Sequence, residues 1–118
     1  MSNNFVMPQK NVLGLIEPVI VIGQNKSLTL KARIDTGAQR CSIDVNAARK
    51  LGYNIVSEKL IRSAHGKERR AVAYFRIMIM GKLFKASFTI ANRLHMKYKL
   101  LIGRNLLKYS NFIIDPNK

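Results

Sequence analysis

Asp35, in the stretch "KARIDTGAQRCSID" at residues 31–44, is the acid best placed to do chemistry. It ends an apolar run at Ile34 and is followed by Thr36 and Gly37. A threonine hydroxyl can hydrogen-bond locally, and glycine permits a tight turn or the close approach of another backbone. A carboxylate held beside a core can move protons as a general acid or base. The tripeptide alone is weak, because Asp near Gly often only makes a turn. Its context adds weight. In "KLLIGRNLL", residues 99–107, the apolar triplet Leu100, Leu101 and Ile102 runs into Gly103 and Arg104. A buried strand can therefore pass beside the Asp35 loop with no side chain at the crossing.

The other five acids have structural readings. Asp44 stands where a helix cap is wanted, Glu17 and Asp115 each precede a proline, and Glu58 and Glu68 lie among basic residues suited to surface pairing. Cys41 reads as a packed thiol and His95 as a loop residue. Zinc needs three or four clustered ligands, whereas Cys41, His65 and His95 are far apart, with no Cys-x-x-Cys or His-Glu-x-x-His. No metal or other cofactor is expected. There is no glycine-rich phosphate loop either, so any dependence on ATP would come from a partner.

The elements that must position Asp35 are mostly strands. "VIVIG" is followed by the loop "QNKS", and "LTLKARID" alternates, with Leu28, Leu30, Ala32 and Ile34 on the face expected to meet the core. "FKASFTIA" sets Phe84, Ala86, Phe88 and Ile90 against Lys85, Ser87 and Thr89, and "AVAYFRIMIM" is apolar on both faces. Gly81-Lys82 is expected to form the tight turn between these two strands. Helices are few. Asp44 caps "VNAARKL", with Gly52 at its end, and "RNLLKY" after Gly103 adds a turn or two that carries Leu106 and Leu107 inward. The fold class read from this pattern is mainly β, closed or sandwich-like, with one or two short helices.

The chain has 118 residues and 47% hydrophobic content, which suits a single domain over residues 1–118, with residues 1–10 as a flexible lead-in. No export signal or membrane span is visible, and one cysteine cannot make an intrachain disulfide, so a cytoplasmic location is expected. Lys plus Arg number 21 against 6 Asp plus Glu, a formal net charge of +15. Such a field attracts anions without choosing among nucleic acid, an acidic membrane and an acidic peptide. The cations run from Lys10 to Lys118 instead of forming a block, which argues against a nucleic-acid-binding arm.

Together, "IDTGA" and "LLIGRNLL" resemble the retropepsin-like aspartic proteases, including those of retroviruses. The resemblance extends to a prokaryotic family labelled ATP-dependent zinc proteases and associated with ATP-grasp glutamate ligases related to RimK and LysX. "IEPV", "SAHGK", "FTIANRLHMKY" and "IIDP" also match that family, so the likeness covers most of the chain from Glu17 to Pro116. It implies a closed acid-protease barrel and an aspartic endopeptidase. Such an enzyme needs two carboxylates sharing a proton, and a chain with one Asp-Thr-Gly supplies the second by homodimerising. The resemblance thus implies Asp35, Thr36 and Gly37 as catalytic residues, with the Thr36 hydroxyls bracing the paired loops and the Gly37 backbone positioning substrate and water.

Retropepsins cover their cleft with a hairpin flap. Here "IRSAHGKERRA" is the matching segment, with His65-Gly66 at its tip, and the substrate-binding residues implied are Ala38, Arg40, Ser63, Ala64, His65 and Gly66. Lys59, Arg62, Lys67, Arg69 and Arg70 would favour acidic peptides, including glutamate-modified ones. Gly103 and Arg104 take structural roles. Many retroviral enzymes carry acids after Ala38, one of which pairs with the Arg after the glycine, but this chain has Gln39 and Arg40, so Arg104 lacks that partner. "FIIDPNK" is expected to form an ordinary intramolecular strand instead of interleaving across a dimer. Two alternatives stand beside the peptidase. One is a non-proteolytic adaptor that binds an ATP-grasp ligase or another acidic partner. The other, nucleic-acid binding, draws only on charge and is not expected, and no membrane partner is expected either.

Overall fold

The computed structural model describes residues 11–63 and 66–118, without the Ser63 side chain, so the expected lead-in at residues 1–10 lies outside the described residues. The strands are β1 (Val12–Leu13), β2 (Ile16–Ile22), β3 (Ser27–Ile34), β4 (Cys41–Asp44), β5 (Ser57–Ser63), β6 (Gly66–Ile79), β7 (Lys82–Ala91), β8 (Leu100–Ile102) and β9 (Ile113–Ile114). The helices are α1 (Val45–Leu51) and α2 (Arg104–Ser110).

Six strands close a barrel in the order β2, β3, β8, β4, β7, β6, with β6 returning to β2 through Ile20 to Met78 and its neighbours. The alternation read from the sequence explains why the barrel fills. Ala32 and Ile34 of β3 are buried and Lys31 and Arg33 are exposed, while Ala86, Phe88 and Ile90 of β7 point inward. On β6 the residues Ala73, Phe75, Ile77 and Ile79 are buried, but Tyr74 and Arg76 are exposed, so this strand is less apolar on its second face than its composition suggests. Phe75 meets Phe88 edge to face at 5.6 Å and Tyr53 at 6.1 Å.

Asp44 caps α1 as expected: Oδ2 accepts from the N–H groups of Asn46 (3.0 Å) and Ala47 (3.4 Å), and Ala47, Ala48 and Leu51 are buried beneath it. The helix stops at Gly52, whose φ of 82° suits glycine. The hairpin between β6 and β7 turns at Met80-Gly81, one residue earlier than expected, with Ile79 opposite Lys82. Both turn residues have positive φ (52° and 78°), the arrangement that matches the twist of flanking strands, and glycine takes the second position of that turn. The carboxyl-terminal segment behaves as an intramolecular strand: β9 pairs in parallel with β1, Val12 to Ile113.

Glu17 is more than a residue before proline. It is 6% exposed, accepts from the Gly14 N–H (2.6 Å) and pairs with Lys118 Nζ (2.9 Å), which joins the start of β2 to the segment after β9. Among the described residues, no helix is long and apolar enough to cross a membrane.

Candidate active site

Parallel pairing of β3 with β8 brings Ile34 opposite Ile102 and delivers the next residue, Asp35, to the barrel's end. The Asp35 N–H donates to Ile102 O at 2.9 Å, so the pairing continues into the loop. The loop then folds on its own carboxylate: Gly37 N–H donates to Asp35 Oδ1 at 2.9 Å, and Ala38 N–H donates to Asp35 O at 3.2 Å. Asp35 is half-buried, while Thr36 and Gly37 face solvent.

Gly103 lies against this loop, as the sequence indicated. A Cβ on it would stand 2.7 Å from Arg40 C, 2.8 Å from Arg40 O and 3.0 Å from Ala38 O, closer than side-chain carbons approach backbone. The start of α2 then binds the loop's carbonyls. Arg104 N–H donates to Ala38 O (2.8 Å) and Asn105 N–H to Gln39 O (3.1 Å). Arg104 Nη1 donates to Thr36 O at 3.0 Å, so the arginine without its acidic partner holds the loop by a carbonyl instead. Asn105, which the sequence reading left unassigned, is a strut: Oδ1 accepts from Cys41 N–H (2.9 Å), and Nδ2 donates to Ser87 O (2.9 Å).

Beside the loop opens a cleft of about 790 Å³. Ala38 and Arg40 line one side, and Lys59, Arg62 and Arg70 of the β5–β6 hairpin line another. Two of the hairpin's cations, the cleft-lining Arg70 among them, are partly neutralised, with Arg69 3.9 Å from Glu58 and Arg70 Nε 2.6 Å from Glu68 Oε1. Ser63 pairs with Gly66 at the strand ends, so Gly66 belongs to β6 and not to a His65-Gly66 tip. Ala64 and His65 lie outside the described residues.

Two cleft residues were missed in the sequence. Arg93 is 9% exposed, with its N–H on Asp44 Oδ1 (2.8 Å) and its Nε on Tyr98 O (3.0 Å). Burial and then the Arg70 cation lower its pKa, and Asp44 acts in the opposite direction. Ser42, 6% exposed, lines the same cleft, and its Oγ has no hydrogen-bond partner among the described residues. A buried hydroxyl without a partner is costly.

Of the three donors the sequence offers to a zinc ion, His65 lies outside the described residues, and Cys41 and His95 do not form a site by themselves. Cys41 is buried, its thiol is pushed up to about 11 chiefly by that burial, and its Sγ accepts from Gly103 N–H at 3.4 Å. His95 is exposed on the segment between β7 and β8. No group of three or more His, Cys, Asp or Glu converges among the described residues.

A family model described as "RimB-like: Retropepsin-like aspartic endopeptidase RimB" matches residues 44–118. The chain belongs to the RimB-like family. The match begins at Asp44, so the Asp35 loop lies just upstream of it. Among solved structures, a Legionella pneumophila protein of unknown function, Lpg0085, is 22% identical with a TM-score of 0.65, covering 91% of this chain and 94% of that one. The EIAV protease, complexed with an inhibitor, gives 16% identity and a TM-score of 0.63 over 98% of both chains. A retropepsin-like aspartic protease from Rickettsia conorii gives 23% identity and 0.56 over 80% of this chain and 78% of that one. No curated protein matches. At these identities the neighbours establish the retropepsin-like fold, and the RimB-like family places the chain among aspartic endopeptidases.

Proposed function

We propose that this RimB-like chain is a homodimeric aspartic endopeptidase, with Asp35 and its symmetry mate as the catalytic pair and acidic or glutamate-modified peptides as substrates. The observation that carries the substrate reading is the cleft beside the Ala38–Arg40 end of the Asp35 loop, whose lining includes Arg40, Lys59, Arg62, Arg70 and Arg93. A glutamate carboxylate has the charge and the acceptors such a lining wants. The dimer follows from count: one Asp-Thr-Gly per chain needs a second copy. In the paired site one carboxylate is ionised and the other protonated. The ionised group takes a proton from water as the water oxygen bonds to the scissile carbonyl carbon, and the protonated group gives its proton to the carbonyl oxygen. Collapse of that intermediate breaks the C–N bond as a proton passes to the leaving nitrogen. Thr36 and Gly37 support the paired loops, and Ser63, Ala64, His65 and Gly66 are proposed as substrate-binding residues. The location proposed is cytoplasmic.

The test is cleavage of peptide pairs differing only in Glu or Gln, from about pH 3 to about pH 8, by the wild type and Asp35→Asn. The expected result is cleavage of Glu peptides by the wild type and a loss of at least about 10³-fold in Asp35→Asn with the fold intact. Cleavage by both proteins, or by neither, would remove the aspartic mechanism. Equal rates on Glu and Gln peptides would remove the substrate reading.

A second reading, a non-proteolytic adaptor for an ATP-grasp ligase or another acidic partner, draws support from a basic recess away from Asp35. Lys31, Lys97 and Lys99 line it with Leu30 and Tyr98. Stable co-elution with such a ligase by an Asp35→Asn protein lacking all cleavage would favour it.

A further inference from the structure

Pairing of β6 with β7 brings two cations that are distant in the sequence together on the outer face of these strands. There Arg76 stands directly opposite Lys85, and Tyr74 opposite Ser87. Like charges facing each other across an antiparallel pair repel, and an anion between them reverses that cost. Lys85 Nζ lies 5.2 Å from the centre of the Tyr74 ring, which is itself 53% exposed. Tyr74, Arg76 and Lys85, with Tyr53 and Gln24, line a recess of about 430 Å³.

The basic path continues from there. Ser87 Oγ accepts from Arg40 Nη1 (2.9 Å) and Asn105 Nδ2 (3.3 Å), and both of those residues line a further groove of about 390 Å³ with Arg104 and Lys108. Lys108 Nζ lies 5.0 Å from the centre of the Tyr109 ring, which is 74% exposed. The six acids are all elsewhere: Asp35 in its loop, Asp44 capping α1, Glu17 tied to Lys118, Glu58 and Glu68 on the hairpin, and Asp115 beyond β9.

We propose that this track, from Tyr74, Arg76 and Lys85 through Ser87 to Lys108 and Tyr109, binds single-stranded nucleic acid outside the peptide cleft. Two exposed rings, Tyr74 and Tyr109, each with a lysine beside it, distinguish it from a merely basic surface. The cations meet phosphates, and the rings offer flat faces on which unpaired bases stack. An acidic polypeptide could use the charges but has no use for the rings. Nor does a duplex, whose bases are already stacked. A bound strand passes Arg40, which also lines the cleft, so the track runs up to the edge of the cleft.

The experiment is fluorescence anisotropy of a labelled mixed-sequence single strand of about 16 nucleotides, as RNA and as DNA, with the wild-type protein at rising salt. Saturable binding that weakens with salt is expected. Substituting Arg76, Lys85 and Lys108 together by Ala removes about three phosphate contacts, so the log-log salt slope falls by about 2. Tyr74→Ala with Tyr109→Ala weakens binding about tenfold or more and leaves that slope unchanged. Peptide cleavage and the melting temperature of both variants stay near wild type, which separates this face from the cleft and from misfolding. No saturable binding of either strand overturns the proposal, as does binding unaffected by the lysine and arginine substitutions. If the tyrosines make no difference, or a polyglutamate peptide of equal charge binds this face more tightly than either strand, the face serves an acidic protein partner instead.

Discussion

The Asp35 loop and the β5–β6 hairpin both border the cleft, yet they are built on opposite principles. The loop is fixed by backbone: its carbonyls at Thr36, Ala38 and Gln39 are all taken by α2, and Gly103 leaves no room for a side chain. The hairpin is a two-stranded projection beyond the closed barrel, with β5 paired to β6 and with Leu60, Lys59 and Arg62 exposed. Such ribbons gain little stability by themselves and open easily. Position is thus built into the rigid part, and the proposed choice of substrate would fall to the hairpin.

Gly103→Ala is the strongest way to break that contrast. The new methyl collides with the carbonyl groups of Arg40 and Ala38, which cannot swing away as a flexible side chain would. Relief requires the Asp35 loop to separate from α2, so a loss of about 3 kcal/mol in denaturant unfolding is expected, with activity falling further than stability explains. A fully stable and active Gly103→Ala protein would mean that the loop is not held by this crossing.

Asp44→Asn comes next. Its two carboxylate oxygens cap α1 and hold the Arg93 backbone, and an amide offers only one acceptor oxygen. The expected cost is about 2 kcal/mol in unfolding free energy, because either the helix start or the Arg93 N–H loses its partner. Arg93 also moves, so discrimination between Glu and Gln peptides narrows. A stability loss with discrimination intact would show that Arg93 does not read the substrate.

The hairpin should respond in the opposite sense. Lys59→Glu with Arg62→Glu reverses charge on two cleft-lining residues that are largely solvated, so the melting temperature should move little. The Michaelis constant for acidic peptides should rise about tenfold while that for neutral peptides stays put. An equal rise for both would make the hairpin a cover without chemical preference.

How much of this was legible in the sequence follows the same division. Strand alternation at Leu28 to Ile34 and at Phe84 to Ile90 forecast the barrel because a half-buried strand must alternate. Gly103 was legible because only glycine meets a steric demand of that kind, and Asp44 because a cap is a local bond. The turn was misplaced by one residue because Met80 accepts a positive φ that its type does not advertise. Arg93, Ser42 and the Tyr74–Lys108 track were not legible at all. Ser42 meets Thr89 and Leu101 only through pairing of β4 with β7 and β8, and Arg76 faces Lys85 only in the final register. Surfaces made by distant strands have no signature in the neighbouring residues.

Ser42→Ala is the smallest change and the one that joins the two halves of the comparison. Ser42 belongs to the rigid barrel, and its hydroxyl is buried in the cleft wall with no partner among the described residues. Replacing an unsatisfied buried hydroxyl with a methyl removes a desolvation cost, so the free enzyme should become more stable by about 1 kcal/mol. If the hydroxyl finds its partner in a bound acidic side chain, the same substitution weakens acidic peptides about fivefold, and neutral peptides much less. Opposite signs for stability and binding, measured by unfolding and by the ratio of kcat/KM values, would mark a residue whose free state is strained in favour of its occupied one. A loss of stability would instead place a hydrogen-bonded water or side chain on Ser42 already, and the reading of substrate would then rest on the arginines alone.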